Sequence, residues 1–248
     1  MALADAVPFA VINWPLDEAS GSAIDAVGGN DLTDNNTVGS GSSAFGAARD
    51  FEAGSTEYLS SADTADLSCA DIAFMWRFLF KAESLNTFPV LFRKGNNGIS
   101  IREYVLYYDT DISRLTWEVV SQSVEQSLVR AANAGALSTG TDYLVHAWHD
   151  PTANEIGIAV NAGTADTDAH ANGCWDGAGV FELGAATQQS LYFDGLIADV
   201  VLLKGYILDA TERTEDYNGG AFTRFADWAG GGGGGTNRRR RVLLAAGS

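Results

Sequence analysis

An aspartate inside an apolar strand is costly unless a partner meets it, and Asp199 stands in such a place. It interrupts the run Tyr192-Phe193-Asp194-Gly195-Leu196-Ile197-Ala198-Asp199-Val200-Val201-Leu202-Leu203. β-branched and large apolar residues dominate that run, so it reads as a strand buried over most of its length. The other residues with chemistry to offer are scattered. His146 and His149 are three apart, which on a strand points them to opposite faces. His146 is therefore expected to be structural rather than catalytic. Gly177-Ala178-Gly179 is not a phosphate-cradling loop, and the C-terminal glycines precede arginines, not a helix. Sugar binding needs exposed aromatics beside polar groups. Trp76 and Trp117 sit in apolar strands and belong to the expected core. Trp175, in Asn172-Gly173-Cys174-Trp175-Asp176-Gly177, is the best exposed candidate, and Trp148, beside His149-Asp150, is the second. Loop tryptophans also anchor protein interfaces, so Trp175 alone does not separate a sugar from a protein partner.

The elements that must position these residues are nearly all strands. A first strand over residues 9–16 carries Trp14, and the late strand over 192–203 is expected to close a sandwich that the first one begins. A turn at Lys204-Gly205 and a short polar helix over 208–217 follow, with Asp209 or Thr211 as N-cap. Between them, strands are expected over 47–51, 58–60, 72–80, 99–108, 115–120, 126–131, 143–149, 155–160 and 180–184. Lys94-Gly95-Asn96-Asn97-Gly98 is a hairpin signal. Many short strands, turn residues between them and no long amphipathic helix make an all-β sandwich or barrel.

Composition narrows the function classes. The 248 residues suit one large β domain, and with 28 Gly against 4 Pro the turns rest on Gly, Asn and Asp. A net charge of -17 argues against nucleic-acid binding by the body, because phosphates would be repelled. Cys69 and Cys174 can pair, but two buried or free thiols are the favoured outcome. The N-terminus has no basic segment before an apolar core, so no signal peptide is expected. No apolar run reaches the ~18 residues of a membrane span. Residues 5–226 read as one domain, and 227–248 as an arm. In the arm six glycines, 230–235, form a flexible tether before Arg238, Arg239, Arg240 and Arg241 and an apolar end. It is either a solubilising tail or a docking arm for an acidic neighbour, including another copy of the body.

Several segments fall in a telling order. Trp14-Pro15-Leu16-Asp17-Glu18-Ala19-Ser20-Gly21 leads into Asp25-Ala26-Val27-Gly28-Gly29-Asn30-Asp31-Leu32-Thr33. Gly46-Ala47-Ala48-Arg49-Asp50-Phe51, Phe74-Met75-Trp76-Arg77-Phe78 and Tyr143-Leu144-Val145-His146-Ala147-Trp148 come next, then Phe193-Asp194-Gly195-Leu196-Ile197-Ala198-Asp199-Val200 and Tyr217-Asn218-Gly219-Gly220. Over residues 8–222 this order resembles the laminin-G-like, concanavalin A-like lectin/glucanase superfamily. The resemblance implies a two-sheet antiparallel jelly-roll sandwich whose first and last strands lie together. It also implies a calcium ion held by Asp25, Asn30 and Asp199. Calcium takes six to eight oxygens, some of which a Gly-Gly-Asn loop supplies as carbonyls. The chain departs from the pattern at Ala198, where many relatives carry a second acid.

Glucan-hydrolysing relatives need two carboxyls ~5 Å apart on one strand face. Glu103, Glu118 and Glu125 are each alone on their strands, and the acids of 211–216 read as a surface helix. No enzyme is expected. The reading that results is a non-enzymatic virion protein, a decoration, fibre or other surface component of a tailed-phage-like particle made in the host cytoplasm. Its lectin-like domain would attach to protein or glycan, and its arm would dock on other virion proteins or copies of itself. The alternative is a carbohydrate-binding module of an exported or cell-surface protein.

Overall fold

The computed structural model describes residues 2–95, 102–121 and 126–230. Two antiparallel sheets face each other. In sheet order the first runs β13 (Asp166–Ala169), β12 (Glu155–Val160), β11 (Asp142–Asp150), β6 (Phe74–Ser84), β17 (Asp194–Lys204), β4 (Gly46–Phe51) and β3 (Gly39–Ser43). The first strand, β1 (Ala10–Trp14), lies along the C-terminal half of β17, pairing Ala10 with Leu203 and Trp14 with Val200. The second sheet runs β10 (Gln126–Arg130), β9 (Arg114–Val120), β8 (Arg102–Asp109), β7 (Val90–Gly95), β14 (Phe181–Leu183), β5 (Tyr58–Ser61) and β2 (Thr33–Asn35). A small hairpin of β15 (Ala185–Ala186) and β16 (Leu191–Tyr192) stands beside it. The fold is the expected two-sheet sandwich, and the first and last strands lie together as expected. The turn of the β7–β8 hairpin and the arm with Arg238 to Arg241 lie outside the described residues.

Period-two alternation sorts each strand between two interiors. On β6, Phe74, Trp76, Phe78 and Phe80 enter the core between the sheets, while Met75 and Leu79 point outward. Trp76 stacks on Trp14 and on Phe181, with ring centroids 6.1 and 5.3 Å apart. Trp76 and Trp117 are fully buried. The outer face of the first sheet is also covered. Helices α1 (Leu3–Ala6), α2 (Ala210–Tyr217) and α3 (Phe225–Trp228) pack there over Met75, Trp148, Val201 and Leu203. Asp209 caps α2, its carboxylate accepting from Thr211 and Glu212, while Glu212 reaches back to the Asp209 amide. The body extends past residue 226, since Trp228 is buried against it.

Asp199 finds its partner beneath these helices. It is the extra residue of a bulge: Ala198 pairs with Leu79 and Val201 with Arg77, so three steps on β17 match two on β6. Its φ is +48°, a left-handed value that Asp tolerates better than most residues. The bulge lets Arg77, fully buried, donate from Nη1 to the Asp199 carbonyl at 3.0 Å and to its carboxylate at 2.5 Å. Nε and Nη2 clasp the Asp216 carboxylate at 2.9 and 2.8 Å, and Nη2 also reaches the Thr223 carbonyl. All five guanidinium N–H groups are thus used. The rings of Phe45 and Trp228 flank the guanidinium at 5.1 and 5.6 Å. Asp216 accepts further from His146 Nε2 and Trp228 Nε1. Burial pushes the Asp216 pKa up, but Arg77 and His146 outweigh it and hold it below the usual carboxylate value.

Removing one member of a buried ion network strands the other charges, at a cost of about 3–5 kcal/mol. Arg77→Met is expected to lose that much in urea unfolding. A loss under about 1 kcal/mol, the range of an exposed pair, would show that the network does not anchor the helices.

Candidate ligand-binding site

The calcium residues come together only through nitrogen. Asp25 Oδ1 accepts from the amides of Asn13 and Val27, each at 3.0 Å. Its Oδ2 accepts from the Asn30 amide and side chain at 3.2 and 3.3 Å. Gly28 is needed at this turn, because a Cβ there would stand 2.7 Å from Asp25 Oδ2. Asn13 then links the loop to Asp199, donating from Nδ2 to Oδ1 at 3.2 Å, while Asp199 Oδ2 also accepts the Phe225 amide. N–H donors and a guanidinium occupy the oxygens that a cation would need. This arrangement fits an Asx-type loop anchor, not a calcium ion. Elsewhere the Asp50, Glu52 and Glu83 carboxylates gather within 4.8 Å of one another, a local excess of the acidic surface.

Trp148 does not offer a ring to a sugar. It is 5% exposed, one ring face lies on Gly157, and the Arg213 guanidinium covers it 5.0 Å from the centroid. Trp175 is half-buried on its loop, with its amide donating to the Val120 carbonyl and its ring against Gly177. The two histidines face opposite ways, as alternation requires. His146 meets Asp216 outside the sheet, and His149 packs at a tilt against the Phe74 ring inside. Cys69 and Cys174 are free, buried thiols. Burial pushes the Cys69 pKa up to about 12, so the thiol is inert at ordinary pH.

The strand acids Glu103 and Glu118 turn to opposite sides of the second sheet, one into the core and one to the outer face, and both are buried. The pairing shifts at the end of β7, where Lys94 faces Tyr104 and Gly95 faces Arg102, leaving Glu103 as the extra residue. Its carboxylate turns inward onto Lys94, and neither side chain is exposed. Lys94 also reaches Asp63 and the Gly177 carbonyl, at 2.8 and 2.9 Å, which ties two end loops to the sheet. Sealed in this way, Glu103 cannot reach a substrate.

The same bulge puts Arg102 outside the second sheet, in an ion pair with Glu118. Around that pair lies a depression of about 240 Å³, lined also by Phe88, Val90, Val105, Tyr107, Gln189 and Leu191. Register explains the assembly. Val90 and Thr116 flank Tyr107 on neighbouring strands, Val105 lies beside Glu118, and Arg93 lies between Val105 and Glu182. The β15–β16 hairpin forms the far wall, with Ala186 and Leu191 packed on Val90 and Val105. Glu182 fastens it by accepting from the Thr187 amide and hydroxyl. Thr87 and Phe88 hold φ of +62° and +51°, strained for a β-branched residue and an aromatic, and such strain gathers at ligand sites. Arg102 Nε is buried and, among the described residues, has no hydrogen-bond partner. A second depression, of about 410 Å³, lies between Ala162–Ala165 and α2. Its one charged group, Arg213, is already engaged by the Leu208 carbonyl and Trp148, and it has no aromatic lining. The depression on the second sheet is the better-equipped site.

No family model matches the chain, and no curated protein matches its sequence. Solved structures do. The binding domain of Paraclostridial Mosquitocidal Protein 1 matches with a TM-score of 0.69 at 9% identity, over 88% of this chain and 53% of that one. Domain 4 of AbnA, an extracellular arabinanase from Geobacillus stearothermophilus, was solved with arabinotriose. It matches with a TM-score of 0.59 at 14% identity, over 83% of this chain and 97% of that domain. A botulinum neurotoxin type C structure, from work tying cell entry to two ganglioside molecules, matches with a TM-score of 0.65 at 11% identity, over 88% and 53%. The chain shares the two-sheet β-sandwich fold of these domains. It spans about half the length of the toxin domains and nearly the whole of the arabinanase domain. At these identities the likeness establishes the fold alone.

The buried acid gives a pH test. Burial raises the Glu103 pKa from 4.5 to about 7, against the pull of Lys94 and the Gly177 amide. The folded chain therefore keeps a proton that the unfolded chain has released. This contribution to stability is complete below the unfolded pKa and is lost as pH rises through the folded one. Urea midpoints are expected to fall between about pH 4.5 and pH 7 from this group, and Glu103→Gln to remove that part of the slope. An identical slope in the variant would disprove the assignment.

Proposed function

We propose that this chain is a carbohydrate-binding module that recognises sugar at the depression on the outer face of the second sheet. The observation that carries the reading is Arg102. Among the described residues its Nε has no hydrogen-bond partner while its other end pairs with Glu118, and Phe88 and Tyr107 line the same depression. Protein-bound sugars need this mixture, an apolar face for the ring's C–H groups and a few fixed polar groups for its hydroxyls. The kinship of fold with a domain solved with arabinotriose and with toxin binding domains supports the reading. None of these neighbours is a virion protein, so the virion reading gains no support from them. A sugar ligand fits an extracellular or cell-surface setting.

A glycan array followed by calorimetry on the best binder tests the assignment. Tyr107→Ala is expected to weaken binding about ten-fold, on the order of 1.4 kcal/mol, while Trp148→Phe leaves it unchanged. Full affinity in a folded Tyr107→Ala protein would place the site elsewhere, with the Trp175 loop next to examine.

A further inference from the structure

Resting on the carbohydrate reading, we infer that the depression takes an uncharged sugar presenting adjacent hydroxyls, not a sialylated or sulfated one. The charges in and under its floor cancel. Arg102 is paired with Glu118, and Arg93 lies across the strand from Glu182 and near Glu118. Among the described residues two guanidinium groups thus face two carboxylates, and the further charges that act on Tyr107, those of Arg130 and Asp109, also cancel. An anionic sugar would have to compete for Arg102 with Glu118, a carboxylate only 2% exposed, and drawing the guanidinium away from a buried carboxylate is costly. The far field has the same sign, since the whole chain stands at -17.

The remaining groups suit hydroxyls. Arg102 and Glu118 both line the depression, so a guanidinium donor and a carboxylate acceptor stand side by side there, and each sugar hydroxyl can both give and take a hydrogen bond. Burial and the nearby Glu118 and Asp109 raise the Tyr107 pKa to about 12, so its phenol stays neutral and can donate. The Gln189 amide adds both functions at the exposed rim. Phe88, Val90, Val105 and Leu191 supply apolar contact. At about 240 Å³ the depression falls below the ~300 Å³ at which ligand pockets usually begin, which suits one ring at a chain end.

The test is an array bearing matched neutral, sialylated and sulfated forms of the same glycans, then calorimetry of the best binder at low and high sodium chloride. Neutral forms are expected to bind, with affinity changing less than about two-fold across the salt range because no net charge is neutralised. Glu118→Gln should reverse the preference, weakening the neutral form about ten-fold and admitting the sialylated one. Circular dichroism confirms that the variant is folded, and Tyr107→Phe serves as a second variant, expected to lose affinity without changing charge preference. Preferential binding of sialylated or sulfated forms, weakened by salt, would overturn this inference while leaving the carbohydrate reading intact. Binding to no glycan at all would overturn that reading and this inference with it.

Discussion

One guanidinium holds the outer layer of this protein to its sheet. Arg77 sits mid-way along β6, the strand between β11 and β17, and projects away from the aromatic core. A charge buried there needs every N–H satisfied and a compensating anion. It obtains both from the β17 bulge at Asp199 and from Asp216 on α2. The constraint acts in two directions. It fixes where β17 must kink, and it fixes where the chain after β17 must fold back. The Thr223 carbonyl, the Phe225 amide and the Trp228 indole each bond to a member of the same network. The layer of short helices is held by specific polar contacts as well as by apolar packing.

That layer makes the sandwich asymmetric. The outer face of the first sheet is closed by α1, α2, α3 and their apolar contacts, which leaves Trp148 without a free ring. On the second sheet, among the described residues, the β15–β16 hairpin covers part of the outer face and walls a depression beside it. Two bulges with different consequences therefore shape the molecule. The one at Asp199 serves a buried charge network. The one at Glu103 sends one acid inward to Lys94 and brings Arg102 outward to Glu118.

Much of the fold was legible in the sequence because it rests on alternation. The aromatic-rich stretch around Trp76, the apolar run before Lys204 and the Asp209 cap each announce a local structure in a few adjacent residues. The costly position of Asp199 was legible too, but its partner was not, because Arg77 lies 122 residues away and nothing local marks it. The metal reading failed its fit for a related reason. Asp25 and Asn30 have the side chains for a cation, yet the backbone amides of Asn13, Val27 and Asn30 claim the Asp25 oxygens and the Thr64 hydroxyl claims the Asn30 oxygen.

The depression was harder to see. Its residues come from β7 and the segment before it, from β8 and β9, and from the hairpin after β14, so no spacing within one segment reveals them. Strict alternation on β8 would also place Arg102 on the same side as Tyr104 and Leu106, inside the core. Only the extra residue at Glu103 changes that parity, and a bulge leaves little trace in composition. One clue was present: β8 carries Arg102, and Tyr107 on the face opposite Leu106, and β9 carries a glutamate that its alternation sends outward. Such polar residues on strands with a buried inner face must meet either solvent or each other. On this sheet Arg102 and Glu118 meet each other in the lining of a recess, and that pairing lets two charged side chains sit on an otherwise largely apolar face.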